Sequence, residues 1–590
     1  MKKKNYKFLI PVTLLLVVTV FACSKNFLNK PPLGTLNPSI LATNDGVQGL
    51  LIGAYSLVDG EGAAGDGFAS GASNWGWGGI GSDDANKGSD PSDVADFAPV
   101  EDWTIIPTNG ATPQKWTVCY AGAQRSNDVL KVMRIATGLA DTAAIAGQAR
   151  FLRAFYHFEL RKIFGHIVYA DESVNPLNTD VTNTDDAGVW SKMEGDLTFA
   201  IANLPEAWGS DVGRANKSAA KALLAKVYMF EKRYSDAYSI LKDLIANGKT
   251  AHGDKYALVK YFSNFNPAQK NSPESVFAAQ TSVGDGSSVD WGGDPNGNYG
   301  DILNFPYSGG PGACCGFYNP TQDLADAYKT DANGLPLLDT WFSGNHVSDP
   351  TTPYVGNLDP RIDLVMGRKG VPYLDWGAHP GDSWIRNPNA DGHFSPKKNV
   401  YAQSQKGLTD VGSAYWGPTE LVANNVNIIR FADVLLWAAE CAAQAGELAN
   451  ATAYVNQIRT RASDKTDWVY KGGSFDAGTF TYTDQTTPAD TYKIGTYTTN
   501  FADQATALKA IMFERRIELA MEGQRFFDLV RWGTASAVLN AYYDRYRNLM
   551  PLKKNAHWTA GKNEYYPIPQ NEIDNMNSDG KIRLTQNPGY

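Results

Sequence analysis

The sequence predicts a mostly α-helical protein in which tetratricopeptide-like helix pairs form a scaffold and long irregular inserts decorate it. Three observations carry this reading. Residues 218–248 place Leu224, Ala225, Tyr228, Tyr234, Ala237 and Leu241 at the offsets of such a repeat. Residues 427–462 repeat the pattern with Ala438, Ala439, Leu448, Ala451 and Val455, where small side chains let paired helices approach closely. Between these units run stretches rich in Gly, Pro, Asp and Asn, at 60–103, 283–425 and 464–502. Structureless loops of that length are functional or disordered, and their Trp and Tyr content argues for ordered elaborations on the helical frame.

In chain order, Lys2, Lys3, Lys4 and Lys7 precede an apolar run from Phe8 to Ala22, followed by Cys23 and Ser24. A basic stretch, an apolar segment and a small residue before the cut are the parts of a secretory signal. The run holds 15 residues and contains Pro11, short of the roughly 20 that a spanning helix needs. The expectation is therefore a signal peptide over 1–22, with Cys23 diacylated as the first residue of a mature lipoprotein. Residues 113–136 and 143–164 read as a helix pair, with Phe151, Phe155 and Phe158 on one stripe. Asn247-Gly248 stops the first repeat unit and Gly446 separates the helices of the second. Short strands are expected near 165–170 and 275–281.

A net charge of −9 without a Lys/Arg cluster disfavours nucleic acid as partner. Five Cys are too few for a disulfide scaffold in 590 residues. Cys119 and Cys441 fall in helical stretches and read as buried small hydrophobes, while the adjacent Cys314-Cys315 pair is left open. Gly76-Trp77-Gly78-Gly79-Ile80-Gly81 spells a dinucleotide fingerprint, yet no strand precedes it and a polar run follows where an apolar helix should open. No zinc spacing links the seven His, and no nucleophile elbow occurs. Acidic loops at Ser82–Asn86 and Asp294–Asn298 could offer oxygens to a structural Ca²⁺, solvated turns being the default. No cofactor and no catalytic residue is assigned.

The densest local signal is Phe513 to Gly533, read as one amphipathic helix over 508–530. Arg515 and Glu522 fall on its apolar stripe, so they must be paired. Spacing pairs Arg515 with Glu518, Glu522 with Arg525, and Asp528 with Arg531, a network that pins the helix into the fold.

That segment, ERRIELAMEGQRFFDLVRWG, resembles the C-terminal signature of the SusD/RagB family of outer-membrane lipoproteins. CSKNFLNKPP after the lipobox, GSDDANKGSDPSD, ARFLRAFYHFELRKIFG, NPTQDLADAYKTDANGLPLLD, IIRFADVLLWAAECAAQAG and the closing YYPIPQNEID with LTQNPGY match in the family's order. Asn26 and Asn29 depart from the Asp common there, and Phe21 is bulky for a lipobox. The resemblance implies a SusD-like α-α superhelix, with a helical N-terminal region over 23–250 carrying the 60–103 insert and a C-terminal region over 251–590. It also implies a lipid-anchored protein on the outer membrane, facing the exterior, that captures an oligosaccharide for a SusC-like TonB-dependent transporter. A peptide-binding importer lipoprotein and a secreted glycosidase are the competing readings. Sugar rings stack on Trp and Tyr while Asp, Asn and Arg bond their hydroxyls. The ligand residues expected on that basis are Trp75, Trp77, Asp83 and Asn86 from the first insert, with Trp291, Tyr299, Trp341, Trp376 and Arg386 from the second.

Overall fold

A computed structural model describes residues 38–62, 67–174, 181–287, 296–312, 314–408 and 421–590. The signal segment, Cys23, Trp291 and Asp294 lie outside them. The frame is an array of helices in which chain neighbours pack side by side: α1 (Asn44–Tyr55), α2 (Thr112–Met133), α3 (Thr142–Phe164), α4 (Asp186–Asn203), α5 (Lys217–Phe230), α6 (Tyr234–Asn247), α7 (Phe431–Gln444) and α8 (Leu448–Ala462). Four of these starts, those of α1, α3, α4 and α5, follow from a polar side chain that accepts an orphan N–H, with Thr43 capping α1 through Gly46 N. Asp141 caps α3 through Ala144 N, Asp185 caps α4 through Gly188 N, and Asn216 caps α5 through Ala219 N. Both predicted repeat units form, as α5–α6 and α7–α8, and α6 packs on α7 although the insert separates them in sequence. Ala219, Ala220, Ala222, Ala225, Ala438, Ala439, Ala442 and Ala443 are all buried along these contacts. Cys119 and Cys441 are buried and free, as expected.

Strands are few and short. They pair antiparallel as β1 (Ala85–Gly88) with β3 (Phe317–Pro320), β2 (Ser275–Ala279) with β6 (Val426–Arg430), β4 (Met366–Gly367) with β5 (Ser395–Pro396), and β7 (Phe475–Asp476) with β8 (Thr481–Tyr482). The strand expected near 275–281 is β2. The one expected near 165–170 is absent, because the Tyr120 hydroxyl takes a partner strand's place, accepting from Val168 N at 3.1 Å and donating to Val168 O at 2.9 Å.

The helix expected over 508–530 is two, α9 (Gln504–Glu518) and α10 (Arg525–Trp532), followed by α11 (Ala535–Tyr546). Met521 and Gly523 between them take left-handed φ of 62° and 65°. A Cβ on Gly523 would lie 1.9 Å from Ser73 O, so only glycine lets the two segments approach. The break also reassigns the charges. Asp528–Arg531 forms as the spacing suggests, at 2.8 Å. Arg515 instead reaches Asp433 and Asp528, Arg525 reaches Asp83, and Glu522 reaches Arg430 at 2.9 Å and Lys398 at 2.6 Å. Glu518 binds Arg361, Arg430 and Arg461, and Glu514 binds Arg361 and Arg459, all buried. Buried carboxylates and guanidiniums thus satisfy one another across segments far apart in the chain.

Candidate functional site

Four candidates of the first insert are interior residues, which removes them from any ligand face. Trp75 and Trp77, each 1% exposed, sit in one turn of π-helix (Trp75–Ile80) and donate their indole N–H to Gly300 O at 2.9 Å and Ala69 O at 2.7 Å. Their rings pack on Phe97, Tyr318 and Tyr566. The glycines beside them serve close packing and do not clear ring faces for a ligand: a Cβ on Gly78 would meet Gly523 O at 1.8 Å. Asp83 is buried against Arg525 and Arg516, and Asp84 against Arg516, so these oxygens are taken and offer nothing to Ca²⁺. Asn86 is buried in β1 and donates to Asp391 O at 2.9 Å.

The second insert divides. Tyr299 is half-buried against Phe68, and Trp341 packs on Phe342 and on Phe513 of α9. The remaining two candidates, Trp376 and Arg386, are linked through Tyr307, Trp384 and Tyr373. Arg386 places its guanidinium 5.6 Å from the Tyr307 ring centroid and is held by Asp93 at 2.5 Å and Ser89 Oγ at 2.8 Å. Tyr307 N donates to Trp384 O at 2.8 Å, and Trp384 meets Tyr373 edge-on at 5.5 Å. Trp376 stands in the turn after Tyr373, donates its indole N–H to Tyr401 O at 3.0 Å, and meets the Tyr401 ring at 5.7 Å. The Lys406 ammonium lies 5.4 Å from the Trp376 centroid. Tyr307 and Trp376 are half-buried, each with a cation over its ring, while Arg386, Lys406, Asp382 and Gln403 are exposed, so partly accessible rings stand among polar groups.

This surface is braced from beneath. Tyr401 donates to Pro311 O at 3.2 Å and ties the surface to the loop carrying the Cys314–Cys315 disulfide, so the adjacent pair is bonded. Gly316 lies under Tyr307 and Arg386, 3.0 Å and 3.7 Å from their Cβ atoms to its own Cβ position. Behind Trp384, His379 packs edge-on at 5.0 Å, its pKa depressed to about 3 by burial, so it stays neutral and shares hydrogen bonds with Ser395 Oγ and Gly381 N. Lys397 donates to Asp363 O and lies over Tyr373, burial lowering it to about 8. Sequence reasoning missed Tyr307, Trp384, Tyr401 and Lys406. The one usable signal was Gly-Asp-Ser-Trp384-Ile-Arg386, where a Trp stands two residues from a chosen Arg.

Among the described residues no helix is long and apolar enough to cross a membrane. The model of the SusD family matches residues 273–590, and a second family model, described as starch-binding associating with outer membrane, matches 82–229. The SusD-like protein P25 of Formosa agariphila is 25% identical over 451 residues, covering 73% of this chain and 70% of that one. A SusD-like protein of Bacteroides ovatus is 33% identical over 126 residues, 19% of this chain and 21% of that one. Among solved structures, a laminarin-binding SusD-like protein superposes with a TM-score of 0.64 at 22% identity, covering 93% of this chain and 100% of that one. Surface glycan-binding protein A from Bacteroides thetaiotaomicron, in complex with laminarihexaose, does so with 0.65 at 22% identity, covering 92% and 99%. With over half its length matched by the family model and the helical frame shared with these structures, the chain belongs to the SusD family.

Proposed function

We propose that this protein is a surface-exposed, lipid-anchored glycan-binding protein that captures an oligosaccharide and passes it to a TonB-dependent outer-membrane transporter. The observation that carries the reading is the pair of half-buried rings Tyr307 and Trp376, backed by the buried Trp384 and flanked by Arg386 and Lys406, on a chain of this family. Sugars present apolar C–H faces that stack on such rings and hydroxyls that accept from guanidinium and ammonium groups. Rings fixed by hydrogen bonds and edge contacts lose little entropy on binding, which suits capture followed by release. The carboxylates at the rim are engaged, Asp93 by Arg386 and Ser89 and Asp382 by His393, which supports binding without bond cleavage. Anchoring rests on the basic stretch, apolar run and Cys23 of the leader.

A glycan panel that includes laminarihexaose and other neutral oligosaccharides tests the reading by calorimetry. Binding by the parent without release of reducing ends supports it. New reducing ends, or no glycan bound, contradicts it. Cys23→Ala should move the protein from membranes to the soluble fraction, and co-purification of the wild type with a large outer-membrane β-barrel tests delivery.

A further inference from the structure

A cavity of about 860 Å³ lies away from the aromatic surface. It lies between α1, the following loop 56–62, the turn 210–214 and β2, a size usual for small-molecule sites. Its apolar wall is built from Ile52, Val58 and Phe277, the last fixed edge-on by Phe151 at 4.9 Å. On the polar side stands Arg125 of α2, half-buried, whose guanidinium donates to Gly53 O at 2.7 Å and Ser56 Oγ at 3.0 Å. Both partners are neutral. Arg214, the other guanidinium lining the cavity, is already paired with Asp211 at 3.1 Å, whereas Arg125 forms no ion pair with any carboxylate among the described residues.

A guanidinium fork that faces a cavity and lacks a carboxylate is matched by a carboxylate brought by a ligand. Asp59 and Glu61 identify the rest of that ligand. The Asp59 carboxyl accepts from backbone N–H groups, that of Glu61 at 2.8 Å among them, and Glu61 Oε2 is buried with no protein partner. Burial lifts Asp59 to about 7 and, helped by the Asp59 charge, Glu61 to about 8. Near neutrality such carboxyls carry O–H donors beside carbonyl acceptors, a pattern that suits hydroxyls better than an ammonium group.

We infer that this cavity is a second ligand site, separate from the aromatic surface, that takes an acidic sugar by seating its carboxylate on Arg125 and its hydroxyls on Asp59 and Glu61. The saccharide half of the inference rests on the glycan reading above; the carboxylate half rests on Arg125 alone.

Calorimetry of a hexuronate disaccharide, its methyl ester and laminarihexaose on the full mature chain tests it. Loss of a buried charge contact should weaken the hexuronate about tenfold or more in Arg125→Gln, leave laminarihexaose unchanged, and spare Trp376→Ala. Arg125→Lys should recover most of the loss, the methyl ester should bind wild type and Arg125→Gln alike, and rising salt should weaken only the acid. Should Arg125→Gln melt early, Ile52→Trp supplies the same test, since Ile52 is 59% exposed and a larger ring there narrows the cavity without touching the core. Hexuronate affinity that is absent, unchanged in Arg125→Gln and Ile52→Trp, or lost in Trp376→Ala overturns the inference. Failure of laminarihexaose and every other neutral glycan, with Arg125-dependent hexuronate binding intact, would instead overturn the aromatic-surface reading.

Discussion

Two pairs of tryptophans, both set in irregular inserts, meet different surroundings. Trp75 and Trp77 stand among glycines in the first insert, and both are sealed in the core with their indole N–H groups bonded to backbone carbonyls. Trp376 and Trp384 stand in an equally irregular stretch, yet Trp376 is only half-buried beside Lys406, and Trp384, itself buried, backs Tyr307. The indole hydrogen bond does not distinguish them, since Trp376 also donates to a carbonyl. What differs is the neighbourhood. The first pair is covered by α10 and the aromatic rings of Phe97, Tyr318 and Tyr566, whereas Trp376 meets Tyr401 and Lys406 and Trp384 meets Tyr373 and His379, all within loops and turns. An aromatic-rich insert in this architecture therefore keeps rings accessible only where no helix lies over it.

The largest expected effect lies in the buried ion network that holds α9 against the inserts. Glu518→Ala would leave Arg361, Arg430 and Arg461 short of a carboxylate, costing about 3–5 kcal/mol as for a broken buried pair. Denaturant unfolding checks it, and a loss below about 1 kcal/mol would mean water replaces the carboxylate. Trp77→Ala should follow at about 3–5 kcal/mol through the cavity it leaves, with glycan affinity of the folded fraction unchanged. Trp376→Ala should reverse that pattern, with stability nearly kept and affinity lowered.

Acid sharpens the same contrast. Burial raises Glu159, but Lys162, Lys115 and Lys226 outweigh it and hold the carboxyl at about 2; Arg461, Arg430 and Arg361 likewise hold Glu518 well below the ordinary range. Unfolded Glu titrates near about 4.3. A carboxylate depressed in the folded state contributes stability that is complete above that value and fades as pH falls toward the folded pKa. The melting temperature should therefore drop between about pH 4 and pH 2, and Glu159→Gln should flatten part of that slope. An unchanged slope in the variant would place the acid sensitivity elsewhere.

The helix pairs were legible because a 3.6-residue period and small residues at the contacts are local facts, visible at Leu224, Ala225, Ala438 and Ala439. The burial of Asp83 was not, since its partners Arg516 and Arg525 stand over 430 residues away. Arg515 and Glu522 read as charges needing partners, and helical spacing matches them to Glu518 and Arg525, whereas the break at Gly523 and long-range partners decide the true pairs. At the surface, Arg386 and Trp376 were chosen as residue types. Nothing local tied them to Tyr307 or Lys406, because the loop at 307–316 and the turn at 373–386 meet only in the folded chain.

The most direct measurement is a parallel titration of the best-binding neutral glycan against Trp376→Ala, Tyr307→Ala and Trp77→Ala, with circular dichroism melts on each. The account predicts that Trp376→Ala and Tyr307→Ala each lose about 2 kcal/mol, near thirtyfold in affinity, at almost unchanged melting temperature. Trp77→Ala should melt early and bind like the parent at low temperature. Full affinity in both surface variants would contradict the account and place the glycan away from this aromatic surface.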